Sequence, residues 1–169
     1  MSNFDINLFN EKLMPAFRES TREAFETMAM TSIEIGAAIP KQKGQPEGAI
    51  SGTIGISGSV QATAAPICGN VSLIFEKNTV ERIFKAMTGM GPDETVNADE
   101  LKDVVGELAN MVAGGAKSKT QGNGVDFNIS LPTVVVGEKH HLEMPSNTKS
   151  FVVPLKANSD TFFLELSFS

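Results

Sequence analysis

Apolar and polar positions recur with two different periods along this chain, and the switches between them mark out its elements. From about Leu13 to Met30, apolar residues return at helical spacing: Phe17, Ala24, Phe25 and Met28 form one stripe. Pro15 falls near the start of that segment, where a missing N–H costs little. The period then shortens. Ser32 to Ile39 alternates as a strand does, and the polar, turn-rich stretch Pro40–Gly48 reads as a loop. Ala49 to Phe75 predicts a set of antiparallel strands, with Ile50, Ile54 and Ile56 at strand spacing. Gly52, Gly55, Gly58 and Gly69 punctuate it, and Val71–Phe75 closes it as a strongly strand-like run.

Asn78 predicts the cap of a second helix, with Glu81 three residues on completing a capping box and Val80, Ile83, Phe84 and Met87 as the apolar face. The cluster Gly89-Met90-Gly91-Pro92 stops it. Asn97 and Glu100 repeat the pattern and open a third helix, from about Ala98 to Lys119. Beyond the Gln121–Gly124 turn, strands are predicted over Val125–Ser130, Thr133–Val136, Ser150–Leu155 and Thr161–Phe168, with Gly137–Lys149 as a polar loop. The expected architecture is a single α+β domain over residues 1–169, three helices packed on an antiparallel sheet.

Composition narrows the function classes. A hydrophobic content of 41% with 20% charged residues supports a core that needs no staples. One cysteine, Cys68, excludes an internal disulfide and suits a reducing compartment. The start MSNFDINLFNEKL lacks the basic and apolar regions of a signal peptide, and no apolar stretch nears the roughly 20 residues of a membrane span. A cytoplasmic protein without membrane insertion is expected. The net charge of −6 argues against nucleic acid as a partner, since that affinity comes largely from Lys and Arg on phosphates.

Candidate chemistry sits on the third helix. Projected at helical spacing, Leu101, Val104, Val105, Leu108 and Val112 share the side that must face the sheet. Asp103, Glu107, Asn110 and Gly114 share the other, so a carboxylate and a carboxamide are neighbours beside backbone bared by Gly114 and Gly115. Two mid-helix glycines each cost about 1 kcal/mol relative to alanine, which points to close approach by a neighbouring helix or a docking partner. Elsewhere the bland readings hold. His140 and His141 read as solvated loop residues without a third ligand, so no metal site is expected. Cys68 reads as a buried, inert thiol, and Met28, Met30, Met87, Met90 and Met111 as fillers of core gaps. The glycines of Ser51–Gly58 are followed by no lysine, which excludes a phosphate-binding P-loop.

The run Asp103-Val-Val-Gly106-Glu107-Leu-Ala-Asn110-Met111-Val-Ala-Gly114-Gly115-Ala-Lys117 resembles the signature helix of the CheC/CheX/FliY family of chemotaxis phosphatases, whose core is E-x-x-N followed by an apolar residue and small residues. Ser51–Gly58 resembles the family's glycine-punctuated strand, and Ile129–Gly137 the strand that follows its active helix. The similarity runs from about Phe17 to the C-terminus. It is closest to CheX, because the first helix has no Asn three residues after Glu23 or Glu26, so one active centre is implied where CheC-like members have two. Gly115 departs from the pattern, standing where many relatives carry Asn.

The resemblance implies a hydrolase acting on the phosphorylated aspartate of a CheY-like response regulator. Asn110 would orient the attacking water and Glu107 would pair with the regulator's lysine, with Asp103, Met111 and Gly114 as partner contacts. It implies no cofactor of the protein's own, the Mg2+ being held by the regulator, and a homodimer joined through edge strands. The alternative is a module that docks a regulator or flagellar-switch component without hydrolysis; a weaker one is the same chemistry on a receiver of another two-component system.

Overall fold

A computed structural model describes residues 4–169. Three helical segments lie against one antiparallel sheet whose strands run in the order β1–β7–β8–β4–β3–β5, with β2 also paired to β7 and β6 also paired to β3. The strands are β1 Glu34–Ile35, β2 Ile39–Pro40, β3 Gly48–Val60, β4 Pro66–Phe75, β5 Val125–Ile129, β6 Thr133–His140, β7 Lys149–Ala157 and β8 Asp160–Phe168. The first helical run, α1, joins Ile6–Leu8, a π segment Phe9–Leu13 and the α-helix Met14–Thr27; α2 is Lys77–Thr88 and α3 is Ala98–Gln121. The α+β class and the three-helix count agree with the sequence reading.

Several boundaries differ from expectation, each for a local reason. The first helix starts at Ile6, well before Leu13, because the Asp5 carboxylate accepts from the Asn7 and Leu8 N–H groups at 2.9 and 3.1 Å. Pro15 is therefore inside the run. Its missing N–H is absorbed by a widened turn just upstream, where the Met14 N–H reaches the Phe9 carbonyl. The strand expected over Ser32–Ile39 splits into β1 and β2 because their partner β7 carries Pro154, which cannot donate to the ladder. There Gly36 donates to the Pro154 carbonyl at 2.8 Å, and a Cβ at Gly36 would lie 2.8 Å from the proline ring. Asn78 caps nothing: α2 begins at Lys77 after Glu76, with no side-chain cap, so the Asn78–Glu81 capping box does not form. The Gly137–Lys149 loop is shorter than expected, since β6 continues to His140 along β3.

Strand register sorts the sheet into two faces. Ile54, Val71, Leu73, Leu164, Leu166 and Val153 point to the helices and are buried. Phenylalanines fill the same space: Phe75 and Phe162 stack at 5.1 Å, Phe25 lies 5.1 Å from Phe162, and Phe17 stacks on Phe127 at 6.2 Å. The opposite face carries a buried polar layer. Thr53 and Ser72 bond at 2.8 Å, Ser150 and Ser167 at 2.8 Å, and Ser51 and His140 Nε2 at 2.9 Å. Glu165, its side chain 0% exposed, receives the Lys41 ammonium at 2.6 Å. Lys41 also donates to the Leu142 carbonyl, tying the segment 141–148 over this face. His140 is thus a strand residue bonded to Ser51, not a solvated loop residue. Cys68 and Met30 are exposed, against expectation: Cys68 points outward from β4, and Met30, 74% exposed, takes the left-handed conformation (φ 49°) just past the end of α1.

Helix α3 is held at two places where no side chain fits. A Cβ on Gly52 of β3 would lie 2.9 Å from a Val105 methyl and 3.2 Å from the Val105 carbonyl. A Cβ on Gly115 would lie 2.2 Å from Ser20 Oγ of α1, and that hydroxyl donates to the Val112 carbonyl at 2.6 Å. Gly114, one residue earlier, has open space where its side chain would be.

Two consequences are measurable by denaturant unfolding. Gly114→Ala is expected to stabilise the protein by about 1 kcal/mol through helix propensity alone. Gly115→Ala is expected to destabilise it by about 1–3 kcal/mol through overpacking against Ser20; equal effects of the two would remove the close approach as a constraint. Burial pushes the Glu165 carboxyl above the ordinary carboxylate value, with Lys41 opposing the rise. The folded state then holds this proton to higher pH than the unfolded chain does. Its contribution to stability is present below the ordinary value and is lost as pH rises through the raised one. Glu165→Gln is expected to flatten stability across that window, and Lys41→Met to extend the loss to higher pH.

Candidate functional site

The sequence makes α3 the most strongly specified helix. The Asn97 side chain accepts from the Asp99 N–H at 2.7 Å while Glu100 accepts from the Asn97 N–H at 3.1 Å, the reciprocal box expected from the residues. Asp99 and Glu100 add carboxylates at the positive end of the helix, and Lys119 a cation at the negative end. Leu101, Val104, Val105, Leu108 and Val112 are all buried, as the projection predicts. Ala109, Ala113 and Ala116 are buried too, so that α1 and the sheet close over more of the helix than one apolar stripe implies.

What remains outside is a narrow ridge. Asp103, Glu107 and Asn110 are exposed along it, and Met111 and Gly114 are half-buried beside it. The structure therefore brings all five candidate residues to one face. The bonds that fix α3 to its surroundings are Ser20 to the Met111 and Val112 carbonyls, Lys119 to Glu23 at 2.8 Å, Lys117 to Asn128 at 3.4 Å and Gln121 to Asp126 at 3.3 Å. None engages Glu107 or Asn110. Among the described residues these two side chains have no hydrogen-bond or ion-pair partner, so donors and acceptors on both stay available to another molecule.

Shallow clefts flank the ridge. On the α1 side, Asn110, Met111 and Gly114 face Ser20, Glu23 and Thr27. Towards α2, Asp103 and Glu107 border Met28 and Phe84. Towards the β5–β6 turn, Asp103, Glu107 and Asn110 face Leu131, Pro132 and Val134. Gly106 brings helix and turn together: a Cβ there would lie 3.4 Å from Val134 and 3.6 Å from Pro132. The sequence reading took Leu131 and Pro132 only as part of a family-like strand, since nothing in Ser-Leu-Pro tells an outward leucine from a buried one.

The two glycines, treated together from sequence, separate here. Gly115 serves contact with α1 inside the fold, and only Gly114 is open to an outside surface. The departure at Gly115 from the family's Asn accordingly concerns the α1–α3 packing. The ridge suits recognition and positioning of a bound group. Among the described residues no three His, Cys, Asp or Glu side chains come together as a metal site would require. Nor is any helix among the described residues long and apolar enough to cross a membrane.

Comparison with known proteins bears on this ridge. The family model for chemotaxis phosphatase CheX matches residues 50–156, a stretch that contains all of α3, strands β5 and β6 and most of β7. A CheC-like superfamily protein from Shewanella sp. PV-4 is 28% identical, covering 98% of this chain and 99% of its own, with a TM-score of 0.81. A chemotactic CheC-like protein from Shewanella oneidensis MR-1 is 31% identical over 95% of this chain and 99% of its own, with a TM-score of 0.80. More distantly, CheX of Borrelia burgdorferi, solved in complex with CheY, BeF3 and Mg2+, shares the fold at 18% identity, with a TM-score of 0.70 over 92% of this chain and 97% of its own. No curated protein sequence matches. With the signature helix, the sheet order and the family match in agreement, the chain belongs to the CheX family of chemotaxis phosphatases.

Proposed function

We propose that this protein docks on a phosphorylated CheY-like response regulator and accelerates hydrolysis of its aspartyl phosphate. The observation that carries this reading is the pair Glu107 and Asn110, adjacent, exposed and unengaged on the ridge of α3. Family membership supports the activity, and the Borrelia CheX complex with CheY supports the partner. The regulator supplies the phosphoryl group, Mg2+ and a lysine; this chain supplies position. Asn110 enters beside the phosphoaspartate and holds a water in line with the phosphorus. The water oxygen bonds to phosphorus as the bond to the aspartate oxygen breaks, releasing inorganic phosphate and regenerating the carboxylate. A carboxamide suits this task, since it accepts from and donates to water without competing as a nucleophile. Glu107 pairs with the regulator's lysine, and that charge-assisted bond fixes the docked geometry. Asp103, Met111 and Gly114 contact the regulator around this pair.

The test is loss of phosphate from a phosphorylated chemotaxis regulator of the same organism. Wild type should accelerate it; Asn110→Ala should lose about 100-fold of the acceleration at saturating regulator, with binding largely kept. Glu107→Gln should weaken binding roughly tenfold or more, the loss of a bond to a charged group. Binding without acceleration by wild type would leave a docking module and end the phosphatase reading. The free sheet edges, β1/β2 at one end and β5/β6 at the other, leave room for the homodimer that belongs to the same reading. Light scattering should give twice the chain mass, and a monomer mass at high concentration would remove the dimer.

A further inference from the structure

Leu131 is 87% exposed, the most exposed large apolar side chain among the described residues. A single outward leucine is ordinary on a protein surface, but this one is unusual in where it stands and how it is held. It occupies the turn between β5 and β6 and shares a cleft with Glu107 and Asn110. The turn is pinned on its upstream side, where Ser130 N–H donates to the Gly55 carbonyl at 2.9 Å and Gly55 N–H donates to Ser130 Oγ at 2.8 Å. Downstream, Pro132 fixes the backbone and packs with Val134 close to Gly106 of α3. Leu131 is thus presented rigidly while contributing little to the core, so its backbone has little left to lose on binding.

We propose that Leu131 is the apolar anchor of the docking face, seating against an apolar patch that borders the phosphorylation site of the regulator's receiver domain. This rests on the function proposed above and adds to it a residue that positions the partner without touching the reacting atoms. The cleft favours that occupant over a second copy of this chain. About a two-fold axis the cleft would meet itself and bring two copies of the Asp103 and Glu107 carboxylates together, with one cation per chain, Lys102, to offset them. A receiver presenting a lysine to Glu107 relieves that charge while its apolar rim covers Leu131.

The experiment measures phosphate loss across a range of phosphorylated-regulator concentrations for wild type, Leu131→Asp, Leu131→Met and Ile6→Asp. Ile6 is an exposed apolar residue at the start of α1, on no sheet edge and in none of the clefts beside the ridge, and controls for general surface stickiness. Leu131→Asp should raise KM about tenfold or more with kcat little changed, the fold-change expected for an apolar anchor left unburied. Leu131→Met should restore a KM near wild type, and Ile6→Asp should leave it unchanged. An unchanged KM for Leu131→Asp, an equal rise in Ile6→Asp, or a change of oligomeric mass in Leu131→Asp alone would overturn the proposal; the last would make a second copy the occupant. If wild type itself accelerates nothing, the phosphatase reading fails. Titration of the regulator against the same variants then decides Leu131 separately, a tenfold weaker Kd for Leu131→Asp supporting the anchor and an equal Kd removing it.

Discussion

The close approach of α3 to its two neighbours governs the rest of the molecule. Val105 presses on the bare backbone of Gly52 in β3, and Ser20 of α1 presses on the bare backbone of Gly115. A helix gripped at two points about three turns apart cannot rotate about its axis without a clash. Its rotation decides which residues face water, so the grip on the buried side sets the position of Glu107 and Asn110 on the open side. Packing at the level of single missing methyl groups thereby becomes orientation of functional groups some distance away.

Polar groups in this fold fall into two populations. Those on the far side of the sheet are mutually engaged, a buried member with a half-buried one: Ser51 with His140, Ser72 with Thr53, Ser167 with Ser150 and Glu165 with Lys41. Even there, one Glu165 carboxylate oxygen has no partner. A buried carboxylate with half its bonding capacity unused gives little net stability, and its single cationic partner is costly to remove. The polar residues on the α3 ridge are the opposite case, bonded to nothing around them and solvated at little cost. The protein encloses its polar groups where they cover the sheet and leaves them free along the outer face of α3.

How much of this was legible in the sequence follows from the range of the interactions involved. The third helix was legible almost to the residue, because its capping box and its apolar period are local and agree with each other. The face shared by Asp103, Glu107, Asn110 and Gly114 came from the same period, and the family resemblance from the residues on it. The second helix misled: Asn78 and Glu81 have the spacing of a cap, yet the helix starts from Glu76, two residues earlier, without a side-chain cap. The first helix was read too short because Pro15 looks like a start, when Asp5 caps a run that accommodates the proline by a π turn. Non-local facts were out of reach. That Pro154 would break the pairing of Ser32–Ile39, that Gly115 would serve Ser20 instead of a visitor, and that Leu131 would be held outward by Gly55 all depend on contacts between distant segments.

Strand β8 follows every other strand in sequence, yet it lies inside the sheet between β7 and β4. The bond from Lys41 to Glu165 joins residues 124 positions apart, and just past β8 the Ser169 N–H donates to the Cys68 carbonyl of β4. During synthesis, then, the helices and the β3–β4 hairpin emerge from the ribosome with a gap in the sheet that only β8 can fill. A nascent or truncated chain lacking it would carry the signature helix in full but no closed core beneath to aim it. Such non-local closure is slow relative to hairpin and helix formation, so the ridge is set in place only once β8 has been inserted.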